Sequence, residues 1–277
     1  MNNLMEPLTS IIGLPAIVAI VLTTTMITNL YTGLIIFSSL SIESNFSIGQ
    51  ATILATFMLL AHALPVEILI SNKTGVRVIP LLLLRIGGAV IICIFLNKIF
   101  TFTGWLSEPA VIKLPELAVS NSLIDWILSQ IKGIIFIQII IIILLFFLEF
   151  LKFIGIEKLI RLLMNPFLKI LGIGEKASSI AVVGITLGLT FGGGLLIKET
   201  SKGEISKKDV FGIICFINLL HSVFEDTSLM LLLGANLFII LFGRAIFAML
   251  LTFFLMKICL KLPGSIWNKF LTNKNIK

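Results

Sequence analysis

The chain has 277 residues, of which 58% are apolar and 13% charged, and its mean hydropathy is +1.14. Soluble domains carry roughly a quarter charged residues, and several windows here exceed the about 18 apolar residues that cross a bilayer. The composition excludes a soluble domain and predicts an all-α integral membrane protein. The net charge of +7 does not indicate nucleic acid binding, because the basic residues lie in short segments between apolar ones.

The first third of the chain contains three predicted elements. An apolar segment of about 8–40 is interrupted by TTTMITN at 23–29. A helix of about 50–71 follows, and a tight turn at Gly75 leads to a second helix of about 76–98. The interruption predicts a helical hairpin. Together with the two helices it forms the first predicted domain, residues 1–99. Pro65 predicts a kink beside His62, because proline removes a backbone donor.

The middle of the chain is predicted as a linker of residues 100–175. It consists of an amphipathic stretch at 100–131, a very apolar transmembrane helix of about 133–151 and a basic amphipathic segment at 152–172.

The remaining segments follow the order of the first third. A segment of about 176–200 is interrupted by TLGLTFGGG at 186–194, helices of about 208–232 and 235–260 flank Gly234, and residues 263–277 form a tail. We predict a second domain at 176–262. The three cysteines, Cys93, Cys215 and Cys259, lie in apolar windows without metal-ligand spacing, and are expected to be buried.

A constant sequence offset relates the two predicted domains, 1–99 and 176–262. His62 and His221 are 159 residues apart (221 − 62), and the same offset joins Glu67 to Asp226 and Arg85 to Arg244. Further pairs at this offset are Gly33 with Gly192, Phe57 with Phe216, Leu60 with Leu219 and Gly75 with Gly234. Coincident histidine, arginine and glycine residues at one offset predict an internal duplication.

Loop charge predicts the orientation of the repeats. If both interrupted segments are re-entrant hairpins, one face collects 16 of the 21 Lys and Arg residues, whereas straight spans would separate the clusters at 152–176 and 198–208. The positive-inside rule therefore favours hairpins, an external N-terminus, a cytoplasmic C-terminus and location in the cell membrane. Each repeat is then a re-entrant hairpin plus two transmembrane helices, and the linking helix gives the two repeats inverted topology. Such repeats place substrate at the midplane.

The buried polar residues are the candidate site. By helix rise, His62 and Arg85 lie about 13 Å into the bilayer, near its centre, where an unpaired charge is costly. Glu67 and the Glu225–Asp226 pair are the expected partners of the arginines. One interpretation is that Arg85–Glu67 and Arg244–Asp226 fix helix register without any ligand; another is that they surround a substrate. The predicted binding residues are Asn29, His62, Glu67, Thr190, Gly192, Asn218, His221, Glu225 and Asp226, with Arg85 and Arg244 in charge pairing.

A broken segment with GLTFGGG, followed by a helix with HSVFEDT and a glycine turn, resembles the nucleoside recognition, or Gate, domain. That domain is similar to the core of concentrative nucleoside transporters, the membrane part of Feo-type ferrous-iron permeases, and spore maturation proteins A and B. The resemblance implies a site between hairpin tips (24–29 and 186–194) and broken helices, with elevator-like movement. The absence of extra scaffold helices implies a homo-oligomer or a partner membrane subunit.

The leading hypothesis is a non-enzymatic permease for a small polar solute, nucleoside-like or other, coupled to H⁺ or Na⁺ and using no cofactor. One alternative is a non-transporting membrane assembly partner. Another is an intramembrane metal-dependent hydrolase, but the five-residue spacing of His62 and Glu67 differs from the HExxH arrangement. We expect no bound metal and no nucleic acid partner.

Overall fold

The structure is a computed structural model that describes residues 2–40, 46–115, 117, 122–170, 173–174 and 177–273. These residues are mostly helical and contain no β-strand. The helices are α1 (Asn2–Ile11), α2 (Ala19–Ile27), α3 (Leu30–Ser38), α4 (Ile48–Ala61), α5 (Leu64–Lys73), α6 (Val78–Leu82), α7 (Gly88–Thr103), α8 (Leu123–Phe153), α9 (Ile156–Ile170), α10 (Ser178–Ser201), α11 (Lys207–Leu219), α12 (Val223–Met230), α13 (Arg244–Cys259) and α14 (Gly264–Ile266). Lys176, Lys274 and Lys277, which belong to the predicted basic face, lie outside the described residues.

Within the part of the chain that the structure describes, five segments are long and apolar enough to cross a membrane, by length and composition. They are Ile48–Lys73, Val78–Thr103, Leu123–Phe153, Lys207–Leu233 and Ile239–Cys259. In an apolar stretch of 18 residues within each segment, 78% of the first segment and 94% of the fourth is buried, whereas only 17% of that stretch of Leu123–Phe153 is buried. An apolar helix that is exposed on most of its surface is typical of a lipid-facing span. The five segments establish an all-helical membrane protein.

The chain divides into two compact units, and each takes segments from both halves of the sequence. The first unit comprises Met1–Ala63, Ala89–Phe150 and Glu225–Ile240, and the second comprises Leu64–Gly88, Leu151–Phe224 and Leu241–Lys277. The predicted domains follow the order of the sequence, and that division by repeats stays a prediction.

The first buried span is broken in its middle. A capping box of Ser47 and Gln50 starts α4, and α4 ends where His62 adopts an extended conformation and Ala63 has a φ of 47°. The Ala63 amide, freed by the break, donates to the carbonyl of Thr25 at 3.0 Å. Pro65 lies in the first turn of α5, where a missing amide hydrogen costs nothing. The predicted kink is thus a complete interruption of the helix.

The second buried span has the same kind of interruption. Ser206 caps α11 by accepting a hydrogen bond from the Asp209 amide, and the helix ends at Leu219. Ser222 then adopts a φ of 43°, which is uncommon for a residue with a side chain. Its amide lies 3.4 Å from the carbonyl of Gly184, and α12 begins at the next residue.

Both predicted interruptions of the apolar segments occur. In the first unit, α2 and α3 pack against each other and are separated at Thr28 and Asn29, within the predicted 23–29. Each has nine residues, about 14 Å in length, which is shorter than a bilayer core of about 30 Å. In the second unit, α10 is interrupted at Gly188, within the predicted 186–194. Whether these segments re-enter on one side stays a prediction.

Several boundaries differ from the predicted ones. The linking helix α8 begins at Leu123 rather than near residue 133, because the last residues of the predicted amphipathic stretch continue the same helix. The start of the segment predicted from about residue 8 belongs to a separate helix, α1, which ends at Ile11. Part of the predicted tail is folded, because Trp267 is 5% exposed and the Arg77 amide donates to the carbonyl of Leu271.

Candidate functional site

A buried histidine and a buried aspartate meet within the first unit. His62 follows the end of α4, and its Nε2 lies 3.7 Å from Oδ2 of Asp226 on α12. The histidine is 5% exposed, and so is the aspartate. The other ring nitrogen of His62, Nδ1, lies 2.9 Å from the carbonyl oxygen of Met58.

The same unit contains a second buried carboxylate with a hydroxyl partner. The hydroxyl of Tyr31, in the first turn of α3, donates to Oε1 of Glu225 at 2.5 Å. Asn29 lies just before this turn, where its side chain accepts from the amide of Thr32 at 2.9 Å and caps α3. The predicted site residue Asn29 therefore positions the start of α3.

Glu67 is the centre of a polar cluster in the second unit. It is 2% exposed, and its Oε2 accepts a hydrogen bond from the guanidinium of Arg85. The same oxygen lies 3.2 Å from Nε2 of His221. The hydroxyl of Thr190, two residues after the break in α10, lies 3.4 Å from Oε1 of Glu67. An arginine, a histidine and a threonine hydroxyl thus surround one carboxylate.

Two further buried polar side chains belong to this unit. Arg244 donates from Nη2 to the carbonyl of His221 at 3.0 Å, which occupies a backbone oxygen at the helix break. Asn218 donates from Nδ2 to Ser71 Oγ at 2.9 Å and to the carbonyl of Ile214 at 2.8 Å. Its Oδ1 accepts no hydrogen bond from the described residues, although Asn218 is fully buried.

The glycines of α10 allow close approach of its two parts and of neighbouring backbone. Gly188 has a φ of 73° and a ψ of −177°, a conformation available to glycine and unfavourable for other residues. A Cβ at Gly188 would lie 1.9 Å from Ser222 Oγ. At Gly192, a Cβ would lie 3.0 Å from Val183, so this predicted site residue brings the parts of α10 together.

In each histidine, one hydrogen bond determines which ring nitrogen carries the proton. Nδ1 of His221 lies 2.9 Å from the carbonyl of Ile217, as Nδ1 of His62 does from Met58. A carbonyl oxygen only accepts hydrogen bonds, so Nδ1 carries the proton in the neutral ring and Nε2 has the lone pair. A lone pair facing an ionised carboxylate is repulsive. Each histidine–carboxylate contact therefore becomes attractive when one additional proton is bound.

The contacts of the two units are related by the sequence offset. Ala63 bonds to Thr25 and Ser222 bonds to Gly184, and both numbers differ by 159. The Met58 and Ile217 carbonyls differ by the same number. Each histidine contacts the carboxylate that the offset assigns to the other histidine: His62 contacts Asp226, and His221 contacts Glu67.

The burial of these polar residues could be predicted from the sequence, but most of their contact partners could not. Arg85 contacts Glu67, the pair predicted from the sequence, but the histidine partners of Glu67 and Asp226 were not foreseen. The predicted pair of Arg244 with Asp226 stays a prediction. Tyr31 was missed, although it is the single tyrosine of the chain and lies 159 residues before Thr190.

Comparison with known proteins supports the class of membrane protein. The chain is 28% identical over 258 residues to the uncharacterized membrane protein YvoD of Bacillus subtilis (strain 168), and the similarity covers 90% of this chain and 80% of that protein. No family model matches the chain, and no solved structure matches it. A membrane location is therefore supported, whereas the resemblance to the Gate domain stays a prediction.

Proposed function

We propose that the protein is an ion-coupled permease for a small polar solute, and that the two histidine–carboxylate contacts carry the coupling proton. The observation that carries this proposal is the fixed orientation of His221: its Nδ1 faces the Ile217 carbonyl and its Nε2 faces Glu67. A purely structural ion pair does not require a group that can both accept and donate a proton, as the imidazole ring of histidine can.

The interrupted helices support a binding role for the surroundings of these residues. Non-helical backbone in a membrane span is tolerated where it is buried in protein or lines a cavity. In transporters, broken helices at repeat interfaces typically form the substrate and ion sites. The breaks at Ala63 and Ser222 each adjoin a histidine, which places non-helical backbone beside a side chain that can bind a proton.

The ligand chemistry favours H⁺ over Na⁺ as the coupling ion. In the second unit, Glu67 Oε2 accepts from Arg85, so the carboxylate is already stabilised as an anion. A proton on Nε2 of His221 adds a second donor to that oxygen. Loss of the proton removes the donor and loosens the contact between the helix break and α5. A hard cation such as Na⁺ would instead require several oxygen ligands, and the imidazole nitrogen supplies none.

The same-offset contacts support an internal duplication, and the distribution of Lys and Arg favours inverted topology of the two copies. We propose that α2–α3 and α10 are re-entrant hairpins whose tips contribute to the site, and that transport proceeds by an elevator-like movement. The solute class is polar and nucleoside-like or other. The mostly exposed surface of α8 would contact lipid, a second copy or a partner membrane subunit.

The test begins with the purified protein and a thermal stabilisation screen of nucleosides, amino acids and organic acids. A stabilising solute is then offered to proteoliposomes under an inward H⁺ gradient or an inward Na⁺ gradient. We expect uptake driven by the H⁺ gradient, and its loss in His221→Ala and Asp226→Asn. Lys202→Gln, at an exposed position, is the matched control and should transport normally.

Unchanged uptake in both His221→Ala and Asp226→Asn would disprove the proposed role of the polar clusters. Uptake driven by the Na⁺ gradient alone would support a permease but would exclude H⁺ as its coupling ion.

A non-transporting assembly partner remains the second candidate. The low burial of α8 favours it, since an exposed apolar helix can contact another membrane protein. Under this alternative, His221→Ala would change complex formation, and no solute would enter the proteoliposomes. For the hydrolase alternative, metal analysis of the purified protein is decisive, because a stoichiometric metal is required.

A further inference from the structure

The second unit contains a large amphipathic cavity that is separate from its polar cluster. Its volume is about 980 Å³, at the upper end of the roughly 300–1,000 Å³ typical of small-molecule sites. The cavity is lined by Asn72, Arg77, Val78, Ile79, Pro80, Leu83, Leu84, Phe211, Leu255, Lys269, Phe270, Leu271 and Asn273. Most of these residues are apolar, and none is acidic.

The cavity has a basic end. Arg77 donates from Nε to the carbonyl of Thr272 at 2.9 Å and from Nη2 to that of Asn268 at 3.1 Å. These carbonyls are neutral, so they hold the guanidinium in place without cancelling its charge. Lys269 lies over the ring of Phe270, with Nζ 5.3 Å from the ring centroid. Within the described ranges, neither cation forms an ion pair with a carboxylate.

The apolar wall lies along a membrane span. Ile79 and Leu83 are each 70% exposed and belong to the segment Val78–Thr103, which is long enough to cross a bilayer. Arg77 directly precedes this segment, and Leu255 lies in the last turns of the span Ile239–Cys259. The cations therefore lie where two apolar spans end, at the level expected for lipid headgroups.

We propose that this cavity binds an anionic phospholipid. The phosphate interacts with Arg77 and Lys269, and an acyl chain lies along Ile79 and Leu83. Charge complementarity selects the headgroup, because basic pockets between spans bind anionic headgroups. A free phosphate would leave the apolar wall exposed to water, and a zwitterionic lipid would bring a positive choline group beside the two cations together with its phosphate. This site is independent of the proposed transport activity.

The test compares phosphatidylglycerol and phosphatidylcholine with identical acyl chains on the delipidated full-length protein. Native mass spectrometry gives the bound fraction, and melting temperature gives the stabilisation. We expect selective binding and stabilisation by phosphatidylglycerol. Lys269→Gln should weaken this binding about fivefold, since one basic residue contributes attraction of that size at a membrane surface. Lys261→Gln, which removes an exposed lysine outside the cavity, should bind like the original chain.

Further arms separate the headgroup from the chain. Leu83→Gln should weaken phosphatidylglycerol binding without a change in charge, and inorganic phosphate or glycerol phosphate should give no stabilisation. Arg77→Gln is a poorer test, because Arg77 also holds the C-terminal segment. Equal binding of the two lipids, equal binding by Lys269→Gln and Lys261→Gln, or stabilisation by phosphate alone would overturn the proposal.

Discussion

At the scale of single residues, the chemistry of each cluster depends on which groups share a carboxylate. The predicted depth in the bilayer identifies Glu67 as a buried acid and Arg85 as its cation, because an isolated charge in a bilayer is costly. It does not identify His221 as a third member, since residue 221 lies far along the chain. Tyr31 was missed for the same reason: its partner Glu225 is 194 residues away.

Removal of Arg85 should destabilise the protein strongly. Arg85 is fully buried and donates to Glu67, so Arg85→Met leaves a buried carboxylate without its cation. Loss of one partner of a buried pair typically costs about 3–5 kcal/mol. We expect a markedly lower melting temperature in detergent, and partial recovery in Arg85→Met combined with Glu67→Gln. A melting temperature unaffected by Arg85→Met would show that the pair does not contribute to stability.

Gly188 should tolerate no side chain. Its backbone conformation costs about 1–3 kcal/mol for other residues, and a Cβ would also overlap Ser222 Oγ. We expect Gly188→Ala to lower the melting temperature and to reduce the solute stabilisation found in the screen.

Gly194→Ala is the matched control in the same helix, because a Cβ there meets no atom within 4 Å. It should be neutral or slightly stabilising, since alanine favours helix over glycine. Similar melting temperatures for the two variants would argue against a break that requires glycine at residue 188.

At the scale of elements, most helices could be predicted and their exact interruptions could not. Runs of apolar residues bounded by Gly75 and Gly234 predict the spans, and both glycines have positive φ as tight turns require. Pro65 predicts a kink near the first break, but no glycine marks Ala63 or Ser222, and neither residue type favours a positive φ. The structure stabilises these conformations through tertiary hydrogen bonds to Thr25 and Gly184.

The break at Ala63 should accept glycine better than the adjacent helix does. Ala61 and Ala63 are both buried and would lose the same methyl group. Ala61 is helical, whereas Ala63 has a φ of 47°, where a side chain costs about 1–2 kcal/mol. Ala63→Gly should therefore be less destabilising than Ala61→Gly by about that amount in thermal melts. Equal loss in both variants would mean that the positive φ carries no strain.

At the scale of the whole molecule, the number of apolar spans followed from composition, whereas the membership of the compact units did not. Each unit combines segments that lie more than a hundred residues apart, such as Leu64–Gly88 with Leu241–Lys277. Apolar periodicity reports which face of a helix is buried but not which helix covers it. The long α8 is the opposite case. Its composition predicts a membrane span, but only the structure shows that most of the helix is exposed.

The predicted orientation can be tested by cysteine labelling in intact cells. Re-entrant hairpins place Lys158 and Lys202 on the cytoplasmic side and Lys113 on the external side. All three positions are exposed, and the natural cysteines are buried, so the background should be low. We expect Lys113→Cys to react with a membrane-impermeant maleimide in intact cells, and Lys158→Cys and Lys202→Cys to react after lysis. Opposite reactivity of Lys158→Cys and Lys202→Cys would indicate that α10 crosses the membrane.

The contact between Tyr31 and Glu225 has a consequence for biogenesis. The ribosome makes Tyr31 194 residues before its carboxylate partner, which at about 5–20 residues per second is a delay of roughly 10–40 s. His62 is likewise synthesised long before Asp226, the residue that it contacts. During that interval the nascent first half must reside in or near the bilayer with its polar groups unsatisfied. A chain truncated after α8 should consequently be a preferred substrate of membrane quality-control proteases and insertion chaperones.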